Sequence, residues 1–349
     1  MKKIIKRILL LFILAGLVYG GSYAWRAFPI ISGYGAKNLC SCVFVAGREE
    51  SSVLKLELGS LPLSLGTFYI DKEEKAAYGN VFGMAVKKAI FRERLGCTLI
   101  SELTENEVRA QSNQVPKLTI LPDSLDWPFV EVQNTLSEVQ EPNEKLFEAV
   151  DRAFVEDNPE QLKNTRAVLV IQNGQILAEK YSEGFNQDTP QIGWSMTKSI
   201  TNAMIGLLVK DGDLDIYSPA PIEGWQGEND PRNKITIDHL LRMSSGLYWE
   251  EEYAGPSSAT NMLFKSADMG DVAINQSLAY PPDTQWYYSS GTSNILSKIV
   301  HQTIGDQNYH EYVRKRLFDK IGASSVIIEP DASGTYVGSS YMYATPRDW

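Results

Sequence analysis

The sequence predicts an α/β (α+β) protein in which antiparallel hairpins are joined to amphipathic helices. Three observations support this fold class. Residues 40–101 are rich in short β-type segments, and Asn173-Gly174 joins two strand-like segments, TRAVLVIQ and QILAEKY. Apolar residues then recur at helical spacing between Met196 and Leu208. A further amphipathic helix, marked by Leu146, Phe147, Val150 and Phe154, precedes the hairpin.

The N-terminus predicts a membrane segment within residues 1–30. Four cations within the first seven residues precede an uncharged stretch from Ile8 to Trp25. This stretch is at the lower limit of length for crossing a bilayer and is longer than the core of a usual signal peptide. We favour a retained anchor in the inner membrane, with the rest of the chain on the periplasmic side. Cleavage after Ala24, which would release the chain into the periplasm, is the alternative.

Residues 31–103 predict a small β-rich accessory domain. Its strand-like segments include CVFVA at 42–46, TFYID at 67–71 and the stretch 76–100, with a turn at Lys72–Lys75. Residues 104–141 contain three prolines and little periodicity, and we interpret them as a linker.

The three cysteines, Cys40, Cys42 and Cys97, all lie in the first hundred residues. Outside the cytoplasm one pair could form a disulfide and leave the third thiol over. The sequence leaves open whether Cys40 or Cys42 pairs with Cys97. A metal site would need a fourth ligand, so we interpret these cysteines as structural.

Composition excludes one class of partner. The 349 residues carry a net charge of −10 and contain no cluster of basic residues comparable to a nucleic-acid-binding surface. We therefore expect no nucleic-acid partner.

Ser195 and Lys198 are the main candidates for catalysis. They stand three residues apart in GWSMTKSITNAMIGLL, so both lie on one face at the start of the predicted helix. A serine hydroxyl becomes a strong nucleophile when a neighbouring base takes its proton. The free N–H groups of a helix N-terminus could also stabilise an oxyanion. Alone, the Ser-x-x-Lys pattern also occurs by chance in solvated helices.

Two more segments accompany this pair. ITIDHLLRMSSGL, at 235–247, begins with Thr236 as a helix N-cap, and YYSSGTSNILSKI, at 287–299, places Tyr288 just before another helix. With Ser195 and Lys198, these segments resemble the serine β-lactamase and penicillin-binding-protein superfamily. The resemblance covers residues 142–349 and is closest to the branch of class C β-lactamases, DD-peptidases, esterases and 6-aminohexanoate-dimer hydrolase.

The resemblance implies a β-lactamase/transpeptidase-like fold, with an antiparallel sheet and a helical domain after the small β-rich domain. It implies Ser195 as nucleophile, with Lys198 and Tyr288 moving protons, and neither metal nor cofactor. Tyr287 is the rival of Tyr288. Trp194 and Ser290 are the candidate substrate-binding residues.

The chain departs from the family pattern in two respects. Ser290 stands where penicillin-recognising members have asparagine, which favours esterase-like or amidase-like members over a true β-lactamase. The Lys-Thr-Gly or His-x-Gly strand is absent from the sequence. We therefore expect the domain to be incomplete at the C-terminus, as in a fragment, and to show little turnover as it stands. In keeping with this, Thr345-Pro346-Arg347-Asp348 predicts the first turn of a helix, with a capping box.

We interpret the three histidines as structural and the acidic segment Trp249–Tyr253 as a solvated loop, although in the family such loops border the cleft. The sequence thus predicts a membrane-anchored serine hydrolase that acts on a small or peptide-like amide or ester through an acyl-enzyme. The alternative is a non-catalytic binding or sensor module with the same pocket.

Overall fold

The computed structural model describes residues 2–111 and 144–349, and side chains from residue 4 onward. Most of the predicted linker, residues 112–141, therefore lies outside the described residues. The helices are α1 Lys2–Phe44, α2 Glu50–Leu56, α3 Glu105–Ala110, α4 Glu144–Ala153, α5 Thr197–Asp211, α6 Ile237–Leu241, α7 Ser258–Lys265, α8 Met269–Ile274, α9 Ser290–Ile304, α10 Tyr309–Val313 and α11 Asp319–Ile321. The strands are β1 Gly66–Asp71, β2 Ala76–Val81, β3 Met84–Arg92, β4 Gly96–Leu99, β5 Ala167–Gln172, β6 Gln175–Tyr181, β7 Gln191–Ile192, β8 Ile327–Ile328 and β9 Met342–Ala344.

Helix α1 is one continuous helix with two different environments. Large apolar side chains between Ile4 and Trp25 are exposed, whereas Ile30, Leu39 and Cys40 are buried in the protein core. The predicted anchor is thus the exposed first half of a longer helix. The prediction of a strand at 42–46 is wrong, because α1 continues to Phe44 and ends in a turn. A short apolar segment fits a buried helix as well as a strand.

The β-rich region forms an antiparallel sheet in the order β1-β2-β3-β4. The turn predicted at Lys72–Lys75 joins β1 to β2. The sheet packs on the buried half of α1, and Cys97 in β4 is bonded to Cys40 while Cys42 remains a buried free thiol. This resolves the pairing that the sequence left open.

A buried polar cluster attaches α1 to the C-terminal part of the chain. Lys37 in α1 forms an ion pair with Glu329, and both side chains are almost fully buried. Glu329 also accepts hydrogen bonds from Ser41 Oγ at 2.8 Å and from the Cys97 backbone N–H at 2.6 Å. Lys37 Nζ lies 4.0 Å from the ring centroid of Tyr341. One carboxylate thereby joins α1, the β-rich sheet and the segment before β9.

The second part of the chain follows the predicted order of helix, hairpin and helix. Helix α4 buries Val150, and β5 pairs with β6 across Asn173-Gly174. Both turn residues have positive φ, 50° and 77°, as a type I′ hairpin requires. Helix α5 buries Met204 and Leu208 against the core, and its C-cap is Gly212 with a φ of 85°.

The remaining strands form a three-stranded antiparallel sheet in the order β7-β9-β8. The central strand β9 therefore connects the segment just before Ser195 with the segment just before Glu329. A single cluster of buried apolar residues includes side chains from α1, the β-rich sheet, α5, α7 and α9. This shared core fixes α1 against the part of the chain that contains Ser195.

The C-terminal turn differs from the predicted capping box. The Thr345 carbonyl accepts hydrogen bonds from the N–H groups of Asp348 and Trp349, as at the start of a helix. The Asp348 carboxylate, however, accepts from the Ser325 backbone N–H at 2.8 Å and from the Ser325 hydroxyl. Asp348 thus bonds to Ser325, which is distant in the sequence, where the capping box would have paired it within its own turn.

Candidate active site

Ser195 lies in a tight 3₁₀ turn, Trp194–Met196, that leads directly into α5. Trp194 has a φ of 43°, a left-handed conformation that is unfavourable for a bulky residue. Such strain persists only where the surrounding structure imposes it, and it is common at functional sites. Before the turn, Gly193 leaves room for the Trp349 ring, because a Cβ at this position would lie 2.1 Å from the ring. The exposed Ser195 side chain is thereby presented at the head of the helix.

Lys198 lies within hydrogen-bond distance of Ser195. Its Nζ lies 3.2 Å from Ser195 Oγ, 3.1 Å from Ser290 Oγ and 3.0 Å from the Ser339 carbonyl oxygen. The three contacts hold the Lys198 side chain beside the Ser195 hydroxyl.

A carboxylate is hydrogen-bonded to Ser290, which in turn contacts Lys198. Glu251 accepts hydrogen bonds from the Ser290 hydroxyl at 2.5 Å, the Ser290 backbone N–H at 2.8 Å and the Tyr253 hydroxyl at 2.6 Å. It also accepts one from the Trp249 indole N–H at 2.5 Å. Ser290 is fully buried and connects this carboxylate with Lys198. The segment that the sequence predicted as a solvated loop thus contributes an internal part of the site.

Tyr253 completes the cluster. Its hydroxyl lies 3.2 Å from Ser290 Oγ. Burial and the hydrogen bond to Glu251 raise the pKa of this phenol above its ordinary value. Tyr253 therefore stays protonated near neutral pH and can donate to the carboxylate.

Tyr288 and Trp194 both adjoin the Ser195–Lys198 pair, but their rings contact different groups. The Tyr288 ring lies beside Lys198, with 4.9 Å between the ring centroid and Nζ. Trp194 stacks on Tyr34 of α1, with ring centroids 6.4 Å apart, and meets Tyr341 edge-on at 6.0 Å. Trp194 thus connects the turn that contains Ser195 with α1. Tyr287, the rival of Tyr288, is about half exposed.

The histidines have other partners. His239 forms a reciprocal cap with Thr236, as the predicted N-cap requires, through hydrogen bonds of 3.1 and 3.2 Å. His301 contacts Thr335 Oγ1 at 2.9 Å, and His310 contacts the Tyr336 hydroxyl at 2.7 Å. Within residues 2–111 and 144–349, no group of three or more His, Cys, Asp or Glu side chains is arranged to hold a metal ion.

Of the residues singled out from the sequence, Ser195, Lys198, Ser290 and Tyr288 come together at one place. Trp194 also adjoins them, but it packs on α1. Sequence reasoning missed Glu251 and Tyr253 as partners of Ser290. The signal available was the position of Trp249–Tyr253 just after the SSGL turn, which is not specific enough to select one acid among three.

A Ser-x-x-Lys pair at the head of a helix, beside an antiparallel sheet, is typical of one class of serine hydrolases. Residues 151–349 match the family model described as Beta-lactamase, and the chain belongs to this family.

The chain is 25% identical over 195 residues to the 6-aminohexanoate-dimer hydrolase of Paenarthrobacter ureafaciens, a match that covers 53% of this chain and 50% of that protein. The chain thus spans about half the length of this relative. Among solved structures it is similar to FmtA from Staphylococcus aureus, with 15% identity, a TM-score of 0.45 and coverage of 58% of this chain and 62% of that one. It is also similar to the D-amino acid amidase from Ochrobactrum anthropi, with 20% identity, a TM-score of 0.37 and coverage of 47% and 54%.

Proposed function

We propose that the protein is a serine hydrolase that cleaves an amide or ester through an acyl-enzyme on Ser195. The observation that carries the proposal is the 3.2 Å separation of Ser195 Oγ and Lys198 Nζ at the head of α5. The family of the chain supports it, and so does the 6-aminohexanoate-dimer hydrolase to which the chain is similar.

In the proposed reaction Ser195 Oγ attacks the carbonyl carbon while Lys198 takes the hydroxyl proton. The Ser195 backbone N–H, at the start of the helix, stabilises the negative oxygen of the tetrahedral intermediate. Tyr288 beside Lys198 passes the proton to the leaving amine or alcohol. Water then attacks the acyl-enzyme, the same groups move its proton, and the free acid leaves. No metal or cofactor takes part in these steps.

Glu251 has a supporting role in this proposal. Its carboxylate fixes the orientation of the Ser290 hydroxyl, so that an oxygen lone pair of Ser290 faces Lys198. This arrangement holds Lys198 Nζ beside the Ser195 hydroxyl. Ser290 is fully buried. We therefore assign it a role in positioning Lys198 and not a role in contacting the substrate.

The test is covalent labelling of the full chain in detergent with a fluorophosphonate, followed by intact mass and peptide mapping. We expect one adduct on Ser195, and none in Ser195→Ala. Ser199→Ala is the matched control, because Ser199 lies on the same helix with an exposed side chain. Labelling of Ser195→Ala to the same extent would overturn the proposal. A penicillin or ester adduct that never turns over would support the binding or sensor module instead.

We also propose that the first half of α1 is a retained anchor in the inner membrane, with the active site on the periplasmic side. The apolar exposed segment Ile8–Trp25 and the four cations before it support this orientation. The Cys40–Cys97 disulfide supports an oxidising compartment. The test is to denature the protein directly from intact cells and to alkylate it with and without a reductant, because Cys40 and Cys97 are both buried in the fold. We expect these two thiols to become reactive only after reduction, and alkylation of both without a reductant would contradict the proposal.

A further inference from the structure

A cavity of about 540 Å³ lies between α1 and the part of the chain that contains the candidate active site. Its walls come from three regions: α1 between Tyr23 and Tyr34, the loop 62–65, and residues 253–264 with Trp194. The volume is within the range of small-molecule sites, about 300–1,000 Å³. None of the eighteen described residues that line it is charged.

The lining excludes ionic ligands and favours a hydrocarbon chain. A charge placed here would lose its hydration without gaining a charged partner. The polar side chains are few, and Thr260 Oγ1 already donates to the Gly255 carbonyl at 2.8 Å. The larger lining side chains, such as Phe28, Leu263 and Phe264, offer dispersion contacts only.

The residues at the two ends of the cavity indicate where a ligand would enter and which site it would reach. Tyr23 and Ala24 belong to the stretch where the exposed apolar half of α1 meets the buried half. Trp194 and Tyr253 belong to the candidate active site, since Trp194 precedes Ser195 and Tyr253 contacts Ser290. The cavity therefore joins the membrane-type surface of α1 with the nucleophile turn.

We propose that this cavity, the alkyl pocket, binds the single hydrocarbon chain of a membrane-derived amphiphile whose ester or amide lies at Ser195. The inference rests on the proposed hydrolase function and adds its substrate class. The chain enters beside the exposed half of α1, and the uncharged pocket holds it while the polar end faces Ser195. The uncharged, mostly apolar side chains that α1 contributes to the pocket wall favour an alkyl chain.

The first experiment compares p-nitrophenyl butyrate with p-nitrophenyl octanoate, using the full chain in lipid nanodiscs. Because each methylene buried in an apolar site contributes about 0.8 kcal/mol, kcat/KM is expected to rise about fourfold for each methylene that enters the pocket. Ala27→Trp fills the pocket and is expected to remove this dependence, so that kcat/KM for octanoate falls to the value for butyrate in the same variant. Ser22→Trp is the matched control, because it adds the same ring to an exposed position of α1 outside the lining.

Leu63→Trp repeats the obstruction from the loop side, in case Ala27→Trp does not fold. Ser195-dependent hydrolysis without chain-length preference, unchanged by either obstruction, would overturn the alkyl pocket and leave the hydrolase proposal standing.

A second measurement does not require catalysis. An uncharged ten-carbon alcohol carrying a diazirine is photolysed with the Ser195→Ala protein in nanodiscs, and the labelled peptides are mapped. We expect label at 62–65 and 253–264, reduced at least fivefold by Ala27→Trp and unchanged by Ser22→Trp. Label confined to Ile4–Trp25 would overturn the pocket. Label in the pocket of a protein that never acylates would instead retain the pocket and overturn the hydrolase.

Discussion

Glu251 Oε1 lies 2.5 Å from the hydroxyl oxygen of Ser290, and the same hydroxyl lies 3.1 Å from Lys198 Nζ. A single side chain, that of Ser290, therefore lies between the Glu251 carboxylate and Lys198, which faces Ser195. The acidic loop and the helix of Ser290 are joined at this point. Four hydrogen bonds to Glu251, from Trp249, Tyr253 and twice from Ser290, fix the carboxylate without an Arg or Lys partner among them.

Glu251→Gln is expected to lower kcat about 10–100-fold while KM changes little. A hydrogen bond to a charged group contributes about 1.5–3 kcal/mol, and its loss would let Ser290 turn away from Lys198. Glu250→Gln, at the exposed neighbouring position, is the matched control and should keep wild-type rates. Steady-state kinetics on a p-nitrophenyl ester measures both variants. Equal activity of the two would show that the carboxylate does not position Lys198.

Tyr288→Phe is expected to lower kcat about 10²–10⁴-fold, the usual contribution of a general acid–base group. The ring beside Lys198 remains in this variant, so the loss reports the hydroxyl. Tyr287→Phe removes the same atom from the exposed neighbour and should have little effect. A large loss of kcat in Tyr287→Phe, with little loss in Tyr288→Phe, would assign the proton transfer to Tyr287.

Lys37→Met is expected to lower the free energy of unfolding by about 3–5 kcal/mol, because it leaves the Glu329 carboxylate buried without its cation. The double variant Lys37→Met/Glu329→Gln should lose less than the sum of the two single variants, since it removes both charges. Urea unfolding in detergent measures all of them. Additive losses would show that the two groups do not interact.

Acidification is expected to destabilise the protein through His310. Burial, with the positive charges of His301 and Arg92, lowers the pKa of His310 from 6.5 to about 4, and Asp306 opposes this effect. Between pH 6.5 and 4 the unfolded chain binds a proton that the folded chain does not, so stability falls as the pH falls through this range, by about 3 kcal/mol. His310 contacts the Tyr336 hydroxyl, and His310→Gln can keep a polar contact there without titrating.

Urea unfolding of wild type and His310→Gln at pH 7.5 and at pH 4.5 tests this expectation. The variant should lose less stability than wild type between the two values, whatever its stability at pH 7.5. An identical pH dependence in both proteins would contradict it.

Local patterns predicted much of the second half of the chain. The hairpin follows from the backbone demands of Asn173-Gly174, and α5 follows from an apolar period of 3.6. Ser195 and Lys198 meet because residues three apart share a helix face. Each of these features depends on a few neighbouring residues and could be read without knowing the fold.

Features that depend on distant packing could not be predicted in this way. Cys40 and Cys42 are at nearly the same distance from Cys97 in the sequence, but they project from different faces of α1, and only the position of the sheet decides which one meets β4. Glu251 stands among three consecutive acids with the same local signal. Its role depends on the position of Ser290, thirty-nine residues later in the chain.

Helix α1 passes without a break from its exposed apolar half into the core, where the Lys37–Glu329 pair and the disulfide hold it. With its first half in a bilayer, such a helix sets the distance between the lipid and the core, because its length is fixed at 1.5 Å per residue and it continues through Pro29, where one backbone hydrogen bond is lost. Ser195 would then be held at one height above the lipid, with no flexible tether to let it search the surrounding space. Its substrates would be those that present a carbonyl group in that thin layer.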